Sequence, residues 1–286
     1  MSIVTIHDRV ASARETLRAA GLSPREAELG ARLLAEHALG WTSERFIVDA
    51  YGAEPDGFAT TYRALVDRRA DREPLAYIVG KREFWGLAFE VTSDVLIPRA
   101  ETELIVEAAL ELQPGHDDRI DVADVGTGSG VVAIAYASER PHARVVATDI
   151  SEAALAVARR NAERHRLTAR VRFRRTDLLD GVEGPFDLIL ANPPYVRDRD
   201  KRGLQPEVRN EPPVALFGGD QGLDAITRLV AQAPSRLRPG GHLVFEFGFG
   251  QDADIEDLVA RVPELTLLEL RRDLQGIART AVARRP

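Results

Sequence analysis

The 286-residue sequence contains no cysteine. Disulfides, thiolate metal sites and cysteine nucleophiles are therefore excluded. Lysine is nearly absent: Lys81 and Lys201 are the only two, and the other basic side chains are arginines. No stretch approaches the roughly 18 consecutive apolar residues that span a bilayer. The opening MSIVTIHDRVASARETL lacks the basic-then-apolar order of a secretory signal. A soluble, cytoplasmic protein without a membrane partner is expected. An excess of positive charge is missing too, with 45 acidic side chains against 38 basic and a net charge of −7. A protein that grips a long nucleic acid usually shows a basic face, so no direct nucleic-acid contact is expected. His7, His37, His116, His142, His165 and His242 are scattered without metal-ligand spacing, and no metal is expected.

What is present is apolar content of 44%, ample for a core, in two kinds of pattern. Residues 1–83 read as a small helical bundle. SPREAELGARLLAEHALG opens with Ser23 as N-cap and Pro24 at the first helical position, carries Leu29, Leu33 and Leu34 at helix spacing, and ends at Gly40. GFATTYRALVDRRADREP is a second amphipathic stretch closed by Pro74. Residues 84–100 read as a β-hairpin linker, with Leu87–Val91 and Val95–Ile97 joined by a Thr-Ser-Asp turn. From 101 to 286 strands and helices alternate, from IDVADVG and SGVVAIAYASER to LTLLELRRD and IARTAVAR. Such alternation predicts parallel βαβ units, an α/β class and a doubly wound sheet.

DVADVGTGSGVVAIAYA places Gly126, Thr127, Gly128, Ser129 and Gly130 between a strand and a helix. Glycine lets the chain turn sharply and lets a ligand approach the backbone. The spacing is G-x-G-x-G, not the dinucleotide G-x-G-x-x-G, and Asp124 stands just ahead of it. An acid there is poor company for a pyrophosphate at a helix N-terminus. It suits a cationic ligand such as S-adenosylmethionine, with its ammonium and sulfonium. Asp149 ends the next strand, placed to accept from two ribose hydroxyls. Asp177 ends the third, near the adenine edge. Both acids also fit as helix caps or solvated loop residues.

LILANPPYVRD ends an apolar strand in Asn192, Pro193, Pro194 and Tyr195. As bare sequence this is either ordinary turn punctuation or a rigid clamp for a planar nitrogen. Ligands of open α/β sheets bind beyond the carboxyl ends of the strands, so this turn should open on the same crevice as the glycine loop.

DVGTGSG, TDIS and NPPY together resemble class I S-adenosylmethionine-dependent methyltransferases that act on nitrogens conjugated to a planar system. REPLAYIVGKREFWGLAFEVTSDVLIPRAETELIVEAAL is similar to the linker of the HemK family, the protein-(glutamine-N5) methyltransferases of peptide chain release factors. NEPPVALFGGDQGLD, RPGGHLVFEFGFGQ and RRDLQGIART match the same family, and the resemblance runs from about residue 70 to 280. It implies a Rossmann-like sheet with a late antiparallel strand. It also implies S-adenosylmethionine as cofactor, S-adenosylhomocysteine as product, and transfer to the glutamine of a Gly-Gly-Gln loop. The helical domain would hold the release factor, and the enzyme would act as a monomer. Adenine N6, guanine N2 and a ribosomal-protein glutamine are the alternative targets.

Under this resemblance the cofactor is held by Asp124, Gly126, Thr127, Gly128, Ser129, Gly130, Asp149, Asp177, Leu178 and Asn192. The substrate meets Asn192, Pro193, Pro194, Tyr195 and Arg99. Asn192 Oδ1 and the Pro193 carbonyl would accept the two amide hydrogens, and Tyr195 would stack on the amide or wall off the methyl. Tyr195 also fits as a packing aromatic, and Arg99 as a salt bridge to Glu101 or Glu103. Glu246, in an apolar strand, is either a site acid or a structural hydrogen-bond acceptor. The sequence departs from the family pattern at Ala100, where a second proline is usual, and at Leu178, where an aromatic is common. Phe245, Phe247 and Phe249 are read as core packing.

Overall fold

A computed structural model describes residues 4–286. It divides into two compact units, one comprising the chain up to Lys81 with Gln205–Asn210, the other Arg82–Leu204 with Glu211–Pro286.

The first unit is helical: α1 (Ile6–Ala19), α2 (Pro24–Leu39), α3 (Ser43–Asp49), α4 (Phe58–Ala70) and α5 (Leu75–Val79). Local chemistry sets the ends. Thr5 with Asp8 and Ser23 with Glu26 form capping boxes, and Gly40 ends α2 at a φ of 62°. Ile6, Leu17, Ala27, Ala31, Leu34, Phe58 and Tyr62 form the core of this unit. The Tyr62 hydroxyl donates to the Ala31 carbonyl at 2.8 Å, so its polar tip is satisfied inside. Leu29 does not join this core; at 43% exposure it lies off the alanine-lined face that α2 buries. Glu207 accepts from Arg69 and Arg72, each at 2.9 Å, which ties Gln205–Asn210 into the same unit.

The second unit begins within β1 (Lys81–Phe84), which forms a hairpin with β2 (Leu87–Glu90). The hairpin therefore lies earlier than the expected pairing, and Val95–Ile97 forms no strand. Trp85 and Gly86 make the turn with φ of 53° and 68°. Two positive φ values give the twist that a two-residue hairpin needs, but Trp-Gly carries none of the usual Asn-Gly signal. Then follow α6 (Glu103–Leu112), β3 (Asp121–Val125), α7 (Val131–Glu139), β4 (Arg144–Asp149), α8 (Glu152–Arg164), β5 (Val171–Arg175) and β6 (Phe186–Ala191). The chain ends with α9 (Pro213–Leu216), α10 (Asp224–Gln232), β7 (Leu237–Glu246), α11 (Asp252–Ala260), β8 (Thr266–Arg272) and β9 (Ala278–Arg284).

The sheet order is β5-β4-β3-β6-β7-β9-β8. β3 to β7 run parallel, and β9 enters antiparallel between β7 and β8. Side chains alternate between faces, so both faces of the central strands must be apolar. In β6, Leu188 and Leu190 face the core under α6 and α7, while Ile189 and Ala191 face the core under α10 and α11. Each large aliphatic buried there contributes roughly 1.5–3 kcal/mol. Phe245 and Phe247 join the second core, whereas Phe249 is 74% exposed and takes no part in it. After β5 the chain returns to the other side of β3. The switch between β3 and β6 opens a crevice at their carboxyl ends.

Candidate active site

A cleft of about 250 Å³ occupies that crevice, lined among others by Asp124, Gly126–Ser129, Asp149, Ile150, Asp177, Leu178, Asn192 and Pro194. On one side lies the loop after β3. Gly126, Gly128 and Gly130 sit at φ of 72°, 54° and 85°, which side-chain-bearing residues rarely adopt. The amides of Gly126 and Thr127 both donate to the Thr148 carbonyl on β4, at 2.9 and 2.8 Å. Asp149 at the end of β4 accepts from the Gly128 amide at 2.9 Å and the Ser151 amide at 2.8 Å. Burial raises its carboxyl above the ordinary value, and these amides pull it back. Asp124 is buried beneath the loop, where its Oδ2 accepts from the Thr127 hydroxyl at 2.6 Å and the Ala133 amide at 3.1 Å. Desolvation pushes it up to about 7 against those two hydrogen bonds.

On the other side lies the turn after β6. Asn192 Nδ2 donates to Thr102 Oγ1 at 3.0 Å, and the Thr102 hydroxyl donates to Glu246 Oε2 at 2.6 Å. The Tyr195 hydroxyl donates to the other Glu246 oxygen at 2.8 Å. Glu246 is 1% exposed, and burial raises its carboxyl while both hydroxyls lower it. Neither Asn192 Oδ1 nor the Pro193 carbonyl receives a protein donor among the described residues. The turn is backed by Gly218, where a Cβ would strike the Pro194 carbonyl, and by Gly222, where it would strike the Tyr195 carbonyl. Buried Gln251 donates to the carbonyls of Tyr195 and Gln221 at 3.3 and 3.1 Å, bolting these segments together. The two sides meet: a Cβ on Gly126 would lie 3.8 Å from the Asn192 carbonyl oxygen.

The family model for the methyltransferase small domain matches residues 101–210, and that for the PrmC N-terminal domain matches residues 9–80. A release factor glutamine methyltransferase of Xylella fastidiosa (strain Temecula1) is 43% identical over 270 residues, covering 93% of this chain and 96% of its own. One from Burkholderia pseudomallei is 42% identical, over 96% and 97% of the two chains. The chain belongs to the release factor glutamine methyltransferase family. In fold it also resembles a methyltransferase from Pyrococcus furiosus, with a TM-score of 0.53, 19% identity, and coverage of 76% of this chain and 98% of that one.

Within this member of the family, the cleft gathers Asp124, Gly126, Thr127, Gly128, Ser129, Asp149, Asp177, Leu178, Asn192 and Pro194. Gly130 does not line it; this glycine packs on α8, where a Cβ would sit 3.2 Å from that of Ala158. Asp177 stands at the lip with Oδ2 bonded to Arg228 at 2.9 Å. Pro193 and Tyr195 are also outside the lining, and the Tyr195 hydroxyl faces Glu246 rather than the cleft. Arg99 pairs with buried Glu211, neither with Glu101 nor with Glu103, and does not line the cleft; Glu103 instead accepts from the Trp85 amide at 2.8 Å. The lining also includes residues that carried no sequence signal as site residues, among them Thr102, Ile150 and Arg228. A half-exposed isoleucine directly after Asp149 is the one legible clue, since an apolar side chain at a strand end has no core to enter.

Proposed function

We propose that this methyltransferase modifies the side-chain amide nitrogen of the glutamine in the Gly-Gly-Gln loop of peptide chain release factors, using S-adenosylmethionine in the cytoplasm. The observation that carries the reading is the orientation of Asn192. Its NH2 end is engaged by Thr102, which leaves Oδ1 as an acceptor at the cleft. An NH2 target offers two donors; Asn192 Oδ1 is one acceptor at the cleft, and the Pro193 carbonyl, next to it in the turn though outside the lining, is the second that the reading requires.

The residues present fit the cofactor. The loop amides lie on backbone with positive φ, and nothing stands within 4 Å of a Cβ at Gly128, so a ligand can approach the main chain there. Asp149 supplies carboxylate lone pairs beyond the two amides it already accepts from. Ile150 and Leu178 supply apolar walls for a flat base. When bound, S-adenosylmethionine supplies an electrophilic methyl group and is released as S-adenosylhomocysteine.

An amide nitrogen is a poor nucleophile because its lone pair is delocalised into the carbonyl. Two acceptors set around the nitrogen favour a pyramidal geometry and free that lone pair. Prolyl rings fix φ on both sides of the Pro193 carbonyl, so the acceptor stays in place. The contribution is therefore positioning, which is worth several kcal/mol when the geometry is held. No strong base is required, and the amide proton leaves to water afterwards. Asn192 cannot ionise and so brings no competing charge to the cleft.

The test uses methyl-labelled S-adenosylmethionine with a release factor, its Gln→Ala loop variant, a ribosomal protein, and DNA or ribosomal RNA. Label is expected on the factor alone and lost in the loop variant. Label on nucleic acid, or undiminished label on the variant, would overturn the reading.

A further inference from the structure

We propose that Glu246, acting through Thr102, sets which end of the Asn192 amide faces the cleft, so that both are positioning residues for methyl transfer. This inference rests on the function proposed above. Four side chains from three parts of the second unit form one chain of bonds: Asn192 to Thr102 at 3.0 Å, Thr102 to Glu246 at 2.6 Å, and Tyr195 to Glu246 at 2.8 Å. Hydrogen counting fixes their directions. A carboxylate has no hydrogen to give, and each hydroxyl has only one. Glu246 therefore takes the single hydrogen of Thr102 and that of Tyr195. Thr102 is left with lone pairs toward Asn192 and accepts only the NH2 end of the amide. Oδ1 must then face away from Thr102, toward the cleft.

The two ends of an amide have nearly the same shape, so packing alone discriminates weakly between them. The network supplies the discrimination, and Thr102 and Glu246 are both almost wholly buried, where an unmatched polar pair costs most. If position 246 carried an amide, its NH2 would have to donate to one of the hydroxyls. Donation to Thr102 frees that hydrogen to turn toward Asn192, which then presents its oxygen to Thr102 and its NH2 to the cleft. Two donors would face the substrate nitrogen, and the clamp would repel its target.

The experiment measures steady-state methylation of a release factor, with S-adenosylhomocysteine binding by calorimetry and melting as controls. Glu246→Gln and the near-isosteric Thr102→Val are expected to lower kcat at least about thirtyfold. KM for the factor and cofactor affinity should stay within about threefold. Thr102→Ser, which keeps the hydroxyl, should retain the rate within about threefold of the parent. Thr102→Val serves as the independent variant if Glu246→Gln does not fold. Parent-like kcat in a folded Glu246→Gln or in Thr102→Val, or a Thr102→Ser rate as low as that of Thr102→Val, overturns the relay. So does a cofactor affinity that falls in step with kcat. Failure of the parent enzyme to label the factor overturns the proposed function instead.

Discussion

The two sides of the cleft are held by different kinds of bond. On the glycine-loop side, carboxylates meet mainly main-chain amides: Asp149 takes those of Gly128 and Ser151, and Asp124 takes that of Ala133 beside the Thr127 hydroxyl. Such an amide cannot turn without moving the chain, so this side is set once strand, loop and helix have formed. On the NPPY side, an amide, two hydroxyls and a carboxylate meet one another through rotatable bonds. This side can be folded correctly and still be oriented wrongly. Under the proposed function, holding the cofactor and aligning the target should therefore be physically separable.

The largest effect should come from the rotatable side. Asn192→Ala removes one of the two acceptors proposed for the substrate amide while leaving the opposing loop bonds intact. Removing one positioned hydrogen-bonding group in comparable sites costs about 10²–10³ in kcat. The expected outcome is a loss of that size in single-turnover methylation, with S-adenosylhomocysteine affinity unchanged by calorimetry. A parallel fall in affinity would show that the two sides are not separable.

Asp149→Ala probes the rigid side and should give the opposite signature. The variant leaves the Gly128 and Ser151 amides without their acceptor and removes the carboxylate proposed to meet the ribose. A hydrogen bond to a charged group is worth about 1.5–3 kcal/mol, so cofactor affinity should weaken roughly tenfold to a hundredfold. At saturating cofactor, kcat should stay within a few-fold of the parent. A collapse of saturated kcat would mean that Asp149 serves alignment as well as binding.

The same division explains what could be read from sequence. The glycine-loop side is local: Asp124 bonds residues three and nine positions on, and Asp149 bonds residues two and twenty-one positions away. Spacing along β3, its loop, α7 and β4 was enough to bring these residues to one end of the sheet. The NPPY side joins residues 90, 144 and 51 positions apart. No periodicity links Thr102 to Glu246, and only the sheet order, which sets β6 beside β7, brings Asn192 near Glu246. Glu246 was legible as an oddity in an apolar strand but not as a partner. The hairpin was misplaced for a related reason. Its turn is made by Trp85 at positive φ, a conformation that composition does not announce. Arg99 had two acids close by in sequence, yet its partner Glu211 comes from 112 positions away.

The smallest effect concerns Asp124, which sequence placed against the cofactor's charge and which lines the cleft while also buckling the loop through Thr127 and Ala133. Its carboxyl is raised from 3.8 to about 7, with burial as the first cause. A carboxyl raised in the folded state favours folding while it holds its proton. That contribution is complete below about pH 4 and is lost as pH rises through 7. From pH 6 to pH 8 the parent should therefore lose on the order of 1 kcal/mol of stability through this group. Asp124→Asn keeps an oxygen for the Thr127 hydroxyl and the Ala133 amide, and has no proton to lose. Urea midpoints at pH 6 and 8 should separate less in the variant than in the parent. Asp149 is raised too, and its charge acts on Asp124, so the difference between the two proteins carries that coupling together with Asp124 itself. Equal pH slopes would remove the buckle's titration from the account. A tenfold loss of cofactor affinity at unchanged stability would instead return Asp124 to direct contact with the ligand's ammonium.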